Sequence, residues 1–99
     1  MSYIKLSNFR RFAGPVIARR GAEYWKAGLV ELQASDGTKY VATVHGSRDY
    51  TTEAVVNGDD VVSHSCNCPY SGTLCKHEVA LLLTIKSRLD SGRDLFPAP

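Results

Sequence analysis

The sequence predicts an α+β domain, a four-stranded antiparallel meander with one helix before it and one after. Three observations lead there. Turn signals punctuate residues 29–65 at intervals of about ten residues. A helix-compatible stretch closed by Gly28 precedes them, and an apolar run opening near Lys76 follows them. The chain is 99 residues long, 43% hydrophobic and 22% charged, which suits one small globular unit. We read that unit as residues 1–89, with the Gly- and Pro-containing residues 90–99 as a flexible tail. A core of this size is modest, so a metal or a partner would stabilise it materially. A nucleotide-binding fold plus a substrate domain does not fit in this length, which excludes most large-enzyme classes.

Each element has its own signals. Residues 1–14 hold Tyr3, Ile4, Leu6, Phe9 and Phe12 without a clear period. Pro15 suits a first helical turn. Within Val16–Ala27, Ile17, Tyr24 and Ala27 share one side, Trp25 flanks them, and Gly21 weakens the helix. Leu29–Ala34 alternates, with Val30, Leu32 and Ala34 on one face, and Asp36-Gly37 marks a turn. Lys39–His45 places Tyr40, Ala42 and Val44 on one face and Val41 and Thr43 on the other, before a loop at Gly46–Asp49. Tyr50–Val56 is rich in Thr and Val; Asn57-Gly58 then signals a hairpin, because both residues tolerate positive φ. Val61–Ser65 runs straight into Cys66.

The last helix carries Val79, Leu82 and Leu83 on one stripe and Leu81, Ile85 and Leu89 on another. So apolar a helix has to be covered on more than one side. The sheet supplies one cover; the N-terminal aromatics, or else a partner outside the chain, supply the other.

The chemistry lies in Cys66-Asn67-Cys68-Pro69-Tyr70-Ser71-Gly72-Thr73-Leu74-Cys75-Lys76-His77. Three cysteines cannot all pair within one chain, and crowded cysteines in a reduced protein point to a metal before a disulfide. Zinc takes four N or S donors in a tetrahedron. Cys66 and Cys68, two apart at a strand end, leave the same face. Pro69 stops the ladder and Ser71-Gly72 lets the chain reverse, so that Cys75 and His77 arrive at the mouth of the helix. The helix N-terminus is expected to favour the Cys75 thiolate. Three thiolates and a neutral imidazole leave a zinc centre at −1, which Lys76 either offsets or, as an ordinary exposed side chain, ignores.

These residues resemble the SWIM-type zinc finger. Cys-x-Cys, a short spacer and Cys-x-His form its pattern, and the Cys-Pro-Tyr run at 68–70, the Cys-Lys-His run at 75–77 and the apolar helix behind them are similar to bacterial members found beside helicase-like ATPases. The upstream stretch Arg20–Gly28 also resembles them. The resemblance implies Cys66, Cys68, Cys75 and His77 as zinc ligands within a knuckle at 66–77, and a module that binds DNA or protein.

Four protein ligands close the shell, whereas a catalytic zinc keeps a position open. His77-Glu78 lacks the second histidine of a zinc-protease helix, since position 81 is Leu81, and the deaminase pattern of Pro-Cys-x-x-Cys is missing. A zinc-bound thiolate is also protected from redox chemistry. The chain therefore reads as a non-enzyme without a small-molecule substrate. His64 shares strand parity with Cys66, a place for an outer contact to the metal site, an alternative ligand or simple partial exposure; His45 has nothing near it in sequence. Asp49, Glu53, Asp59 and Asp60 read as turn and surface residues.

The formal charge of +2 is uneven: residues 1–26 hold six bases and one acid, a balance of +5, and residues 27–99 hold six bases and nine acids, a balance of −3. If the partner is DNA, Arg10, Arg11, Arg19, Arg20, Lys26 and Lys76 would touch phosphates without reading sequence. If it is a protein, the final helix or Phe96-Pro97-Ala98-Pro99 would dock. The longest apolar run, Val79–Leu83, falls far short of the roughly 20 residues that span a bilayer, and Met1–Arg11 lacks an apolar signal core, so a cytoplasmic protein is expected.

Overall fold

A computed structural model describes residues 4–69 and 72–90. The chain order is α1 (Phe9–Ala13), α2 (Pro15–Lys26), β1 (Val30–Ser35), β2 (Lys39–His45), β3 (Asp49–Asn57), β4 (Asp60–Cys66) and α3 (Lys76–Asp90). The strands form one antiparallel sheet in the order β1-β2-β3-β4, the meander that the turn spacing predicts. Tyr70, Ser71 and residues 91–99, most of the expected tail, lie outside the described residues.

The short helix α1 is an addition to the sequence reading. Five residues are too few to show a period, and α1 owes its place to packing: Phe9 is fully buried in the core. Just before it, residues 4–6 run along the start of β4, with the Leu6 N–H donating to Asp59 O (2.8 Å) and the Val61 N–H donating to Ile4 O (2.9 Å). That segment covers part of an otherwise open sheet edge.

One face of the sheet is the core face, carrying Tyr40, Ala42 and Val44 from β2 and Thr52, Ala54 and Val56 from β3. Val30 and Leu32 pack against the same core, but Ala34 does not follow them. A register shift between Leu32 and Ala34 leaves Gln33 as an extra residue and turns Ala34 to solvent. The hairpin into β4 also sits one residue later than expected. Asn57 pairs with Asp60, so the loop is Gly58-Asp59, and only Gly58 takes positive φ (63°).

A second irregularity lies between β3 and β4 and aims the site. Val55 pairs with Ser63 while Val56 pairs with Val61, which leaves Val62 unopposed and exposed. Without that extra residue the inward positions of β4 would be 61, 63 and 65. With it, Val61 still faces the core, but His64 and Cys66 then sit opposite Ala54 and Thr52 on the inner side.

Helix α3 is the middle layer. It packs on the sheet on one side and on α1 and α2 on the other, and every residue from His77 to Ile85 is buried. Both covers expected from the sequence are thus present, and both are internal. Gly21, a weak point by helix propensity, is the closest approach of α2 to α3. A Cβ placed there would collide with the Val79 side chain and lie 2.9 Å from Lys76 O. Glycine at this position lets the helices touch backbone to side chain, and this brings the C-terminal half of α2 onto the start of α3.

Candidate metal centre

Cys66 ends β4, Cys68 follows it, Cys75 immediately precedes α3 and His77 lies in its first turn. The donor atoms of these four residues all lie within 4.8 Å of one another. The His77 nitrogen that faces the sulfurs is Nδ1, 3.7 Å from Cys66 Sγ and 3.8 Å from Cys75 Sγ. With bonds of about 2.3 Å to sulfur and about 2.0–2.1 Å to nitrogen, the S···N edge of a zinc tetrahedron is about 3.6 Å. The donor set, its number and its spacing fit zinc. When bound, the ion supplies a cross-link between the last strand and the last helix; the four protein donors complete its usual structural shell.

Neighbouring groups hold the donors in place. Asn67 extends the ladder past Cys66: its N–H donates to Thr51 O (3.2 Å) and its Oδ1 accepts from the Thr51 N–H (3.0 Å). This fixes the turn between Cys66 and Cys68, a role that sequence reading missed. The fully buried Thr52 hydroxyl donates to Cys66 Sγ (3.4 Å). The His77 ring stacks on Tyr50 at 4.3 Å and meets Tyr24 edge-on at 5.5 Å. Its Nε2 is buried with no hydrogen-bond partner among the described residues, so on that side the aromatic walls set the ring's orientation. Burial, followed by the nearby Lys76 charge, lowers the His77 pKa, which keeps the imidazole in the neutral form that binds metal.

Cys75 and Glu78 cap α3 reciprocally. The Glu78 N–H donates to Cys75 Sγ (3.4 Å) and the Cys75 N–H donates to Glu78 Oε1 (2.8 Å). This is the arrangement of a capping box, with a cysteine in the place usually held by Ser or Thr. The other carboxylate oxygen of Glu78 lies 2.6 Å from His64 Nδ1. His64 is therefore not one of the four clustered donors. It is partly exposed and tied to β4's neighbour α3 through a carboxylate that also holds a ligand's backbone. Burial alone would raise the Glu78 pKa, but His64 and the Cys75 N–H outweigh it and hold the group below its ordinary value. Hydrogen bonding to Glu78 raises His64 in turn.

The Glu78 N–H at the start of α3 favours the Cys75 thiolate, as expected from the helix terminus, but it does not decide the balance. Burial pushes the Cys75 thiol strongly up, and the backbone hydrogen bond from Glu78 offsets only part of that. Burial likewise raises Cys66. Desolvation exceeds the helix terminus here, so a cation, rather than the helix, has to stabilise the thiolates.

The six basic residues singled out from the sequence divide by place. Arg10 and Arg11 are exposed on α1, and Arg19, Arg20 and Lys26 are exposed on α2, where Arg19 and Lys26, seven residues apart, share one helical face and Arg20 turns toward its flank. Lys76 is half-buried, its Nζ 5.4 Å from the Tyr24 ring centroid. The acids singled out as surface residues are on the sheet or its turns. Glu53 pairs with Lys39 (3.2 Å), Asp60 with Lys5 (3.8 Å), and Asp49 with His45 (2.8 Å). Among the described residues no helix is long and apolar enough to cross a membrane.

Neither the curated proteins nor the solved structures gave a significant match to this chain. The family model of the SWIM zinc finger matches residues 50–86, a span that runs from β3 through most of α3 and takes in Cys66, Cys68, Cys75 and His77, the four residues positioned to bind a metal ion.

Proposed function

We propose that this zinc-stabilised domain is a recognition module that carries out no reaction of its own and holds a nucleic-acid backbone on the outer surface of its N-terminal helices. One observation carries the reading. Arg10, Arg11, Arg19, Arg20 and Lys26 are exposed, and none has an ion-pair partner among the described residues. Glu23 is the one acid on the same two helices. Cations left in water at this density are the usual means of neutralising phosphates. Zinc then has a mechanical part: it ties β4 to α3, and α3 supports α2 through Gly21 and Val79. A reducing compartment such as the cytoplasm would keep the three thiols available for the metal.

The test is a titration of the zinc-loaded protein with nucleic acid at two salt concentrations. Binding that weakens steeply with salt, and further with Arg19→Gln and Lys26→Gln, is expected; affinity indifferent to salt would refute the reading. A protein partner is the second reading, and it has its own observation. Phe12 and Val16, on the same helices, are 42% and 49% exposed. The final helix, expected from the sequence as a docking surface, is buried from His77 to Ile85 and offers no such face there. The residues Phe96–Pro99 lie outside the described part of the chain.

A further inference from the structure

Between α2 and the zinc cage lies a cleft of about 300 Å³. Ile17, Tyr50 and Pro69 give it apolar walls, Arg20 and Lys76 stand on it as cations, and three of the metal donors, Cys68, Cys75 and His77, close its inner end. Among the described residues no acidic side chain lines it. Arg20 is exposed and has no ion-pair partner among the described residues, and Lys76 is held beside the cleft over the Tyr24 ring. Apolar walls next to two cations, set against a zinc-loaded cage of only one net negative charge, suit a ligand with a flat uncharged part and an anionic part. The volume is at the low end for ligand sites, which run from about 300 to 1,000 Å³, so it admits one residue-sized unit. A duplex presents a convex phosphate surface with its bases turned inward, and cannot fill such a recess. An unpaired nucleotide can.

Resting on the nucleic-acid reading above, we propose that this cleft receives one unpaired nucleotide of a single strand, its base between Ile17, Tyr50 and Pro69 and its phosphate between Arg20 and Lys76. Arg19 and Lys26, exposed on the outer side of the same helix, follow the strand's backbone outward. Stacking and apolar contact of this kind tolerate any base, so the site is selective for single strands and indifferent to sequence.

Fluorescence anisotropy on the zinc-loaded chain tests this with an oligothymidylate, its abasic counterpart, a duplex of equal length and a polyglutamate peptide as competitor. The expected result is tighter binding of the oligothymidylate than of either the abasic strand or the duplex. Arg20→Gln should weaken it about tenfold at low salt and flatten the log–log salt slope by about 0.7, the share of one phosphate on a single strand. Lys39→Gln, on the opposite face of the sheet, should leave it unchanged. Zinc content is measured for every variant; if Lys76→Gln loses metal, the decision rests on Arg20→Gln, whose side chain is in solvent. Equal binding of abasic and oligothymidylate strands, or an Arg20→Gln variant that binds as tightly as the parent while Arg10→Gln with Arg11→Gln weakens, overturns the cleft and leaves the basic surface standing. Failure to bind any oligonucleotide, or displacement by polyglutamate alone, overturns both.

Discussion

Gly21→Ala separates tertiary packing from helix propensity, because the two predict opposite signs. Alanine is better than glycine in a helix interior by about 1 kcal/mol, so propensity alone makes the variant more stable. At this position the new methyl would lie 2.6 Å from Val79 Cβ and 2.9 Å from Lys76 O, besides colliding with Val79 Cγ1. One of those atoms is backbone, which has no rotamer to yield with, so α2 and α3 must part. Overpacking typically costs about 1–3 kcal/mol, and the backbone contact places this case at the upper end. The net is a destabilisation of about 2 kcal/mol. For a domain of this size 1 kcal/mol moves Tm by about 4–8 °C, so the expected loss is roughly 8–16 °C. The assay is thermal unfolding followed by circular dichroism, on zinc-saturated protein with zinc content checked. The separation of the helices should also disturb Tyr24 against His77, visible as changed ring-proton shifts. An unchanged or raised Tm would refute the idea that glycine is needed here for close approach.

Three further predictions follow from the site and the sheet. Cys75→Ser should lose zinc and unfold at far lower temperature than His45→Ala, because structural zinc contributes about 10–16 kcal/mol in small fingers while whole domains are stable by about 5–15 kcal/mol; equal melting temperatures would count against the metal assignment. Glu78→Ala leaves the buried Cys75 N–H without its acceptor and should lower zinc affinity about 10- to 100-fold in competition with a chromophoric chelator, whereas Glu78→Gln, which keeps the acceptor oxygen, should recover most of it. The His45 ring faces two carboxylate acceptors, Asp49 Oδ1 at 2.8 Å from Nδ1 and Glu31 Oε1 at 3.1 Å from Nε2, and donates to both only when protonated, which raises its pKa above the ordinary 6.5. The folded form is therefore favoured by protonation, an effect complete below about pH 6.5 and lost as pH rises through the raised value, so an NMR titration should give a midpoint above 6.5 that falls on Asp49→Asn.

The parts of the site that were legible in the sequence are those written in neighbouring residues. Cysteine and histidine types, their spacing over residues 66–77 and the turn-forming Pro69 and Gly72 were enough to specify four donors and zinc, since ligand chemistry depends on side-chain identity. The strand order was legible for the same reason: Asp36-Gly37, Gly46–Asp49 and Asn57-Gly58 are local turn signals that connect adjacent strands directly. Glu78 stands three residues after Cys75, the spacing of a capping box. The signal was present, but the unusual capping residue hid it.

What the amino-acid order determined by itself was thus the four strands and the two longer helices, the donor set and the concentration of positive charge in the first 26 residues. Only the assembled fold decided that Cys66 faces inward, because the unopposed Val62 depends on how β3 and β4 come into register. It also decided that Gly21 is a contact rather than a weakness, that His64 reaches Glu78 instead of the metal, and that Arg20 and Lys76 border one cleft. Each of these joins residues far apart in the chain. Their meeting is set by the packing of α2 on α3 and of α3 on the sheet, and no local propensity encodes such a distance.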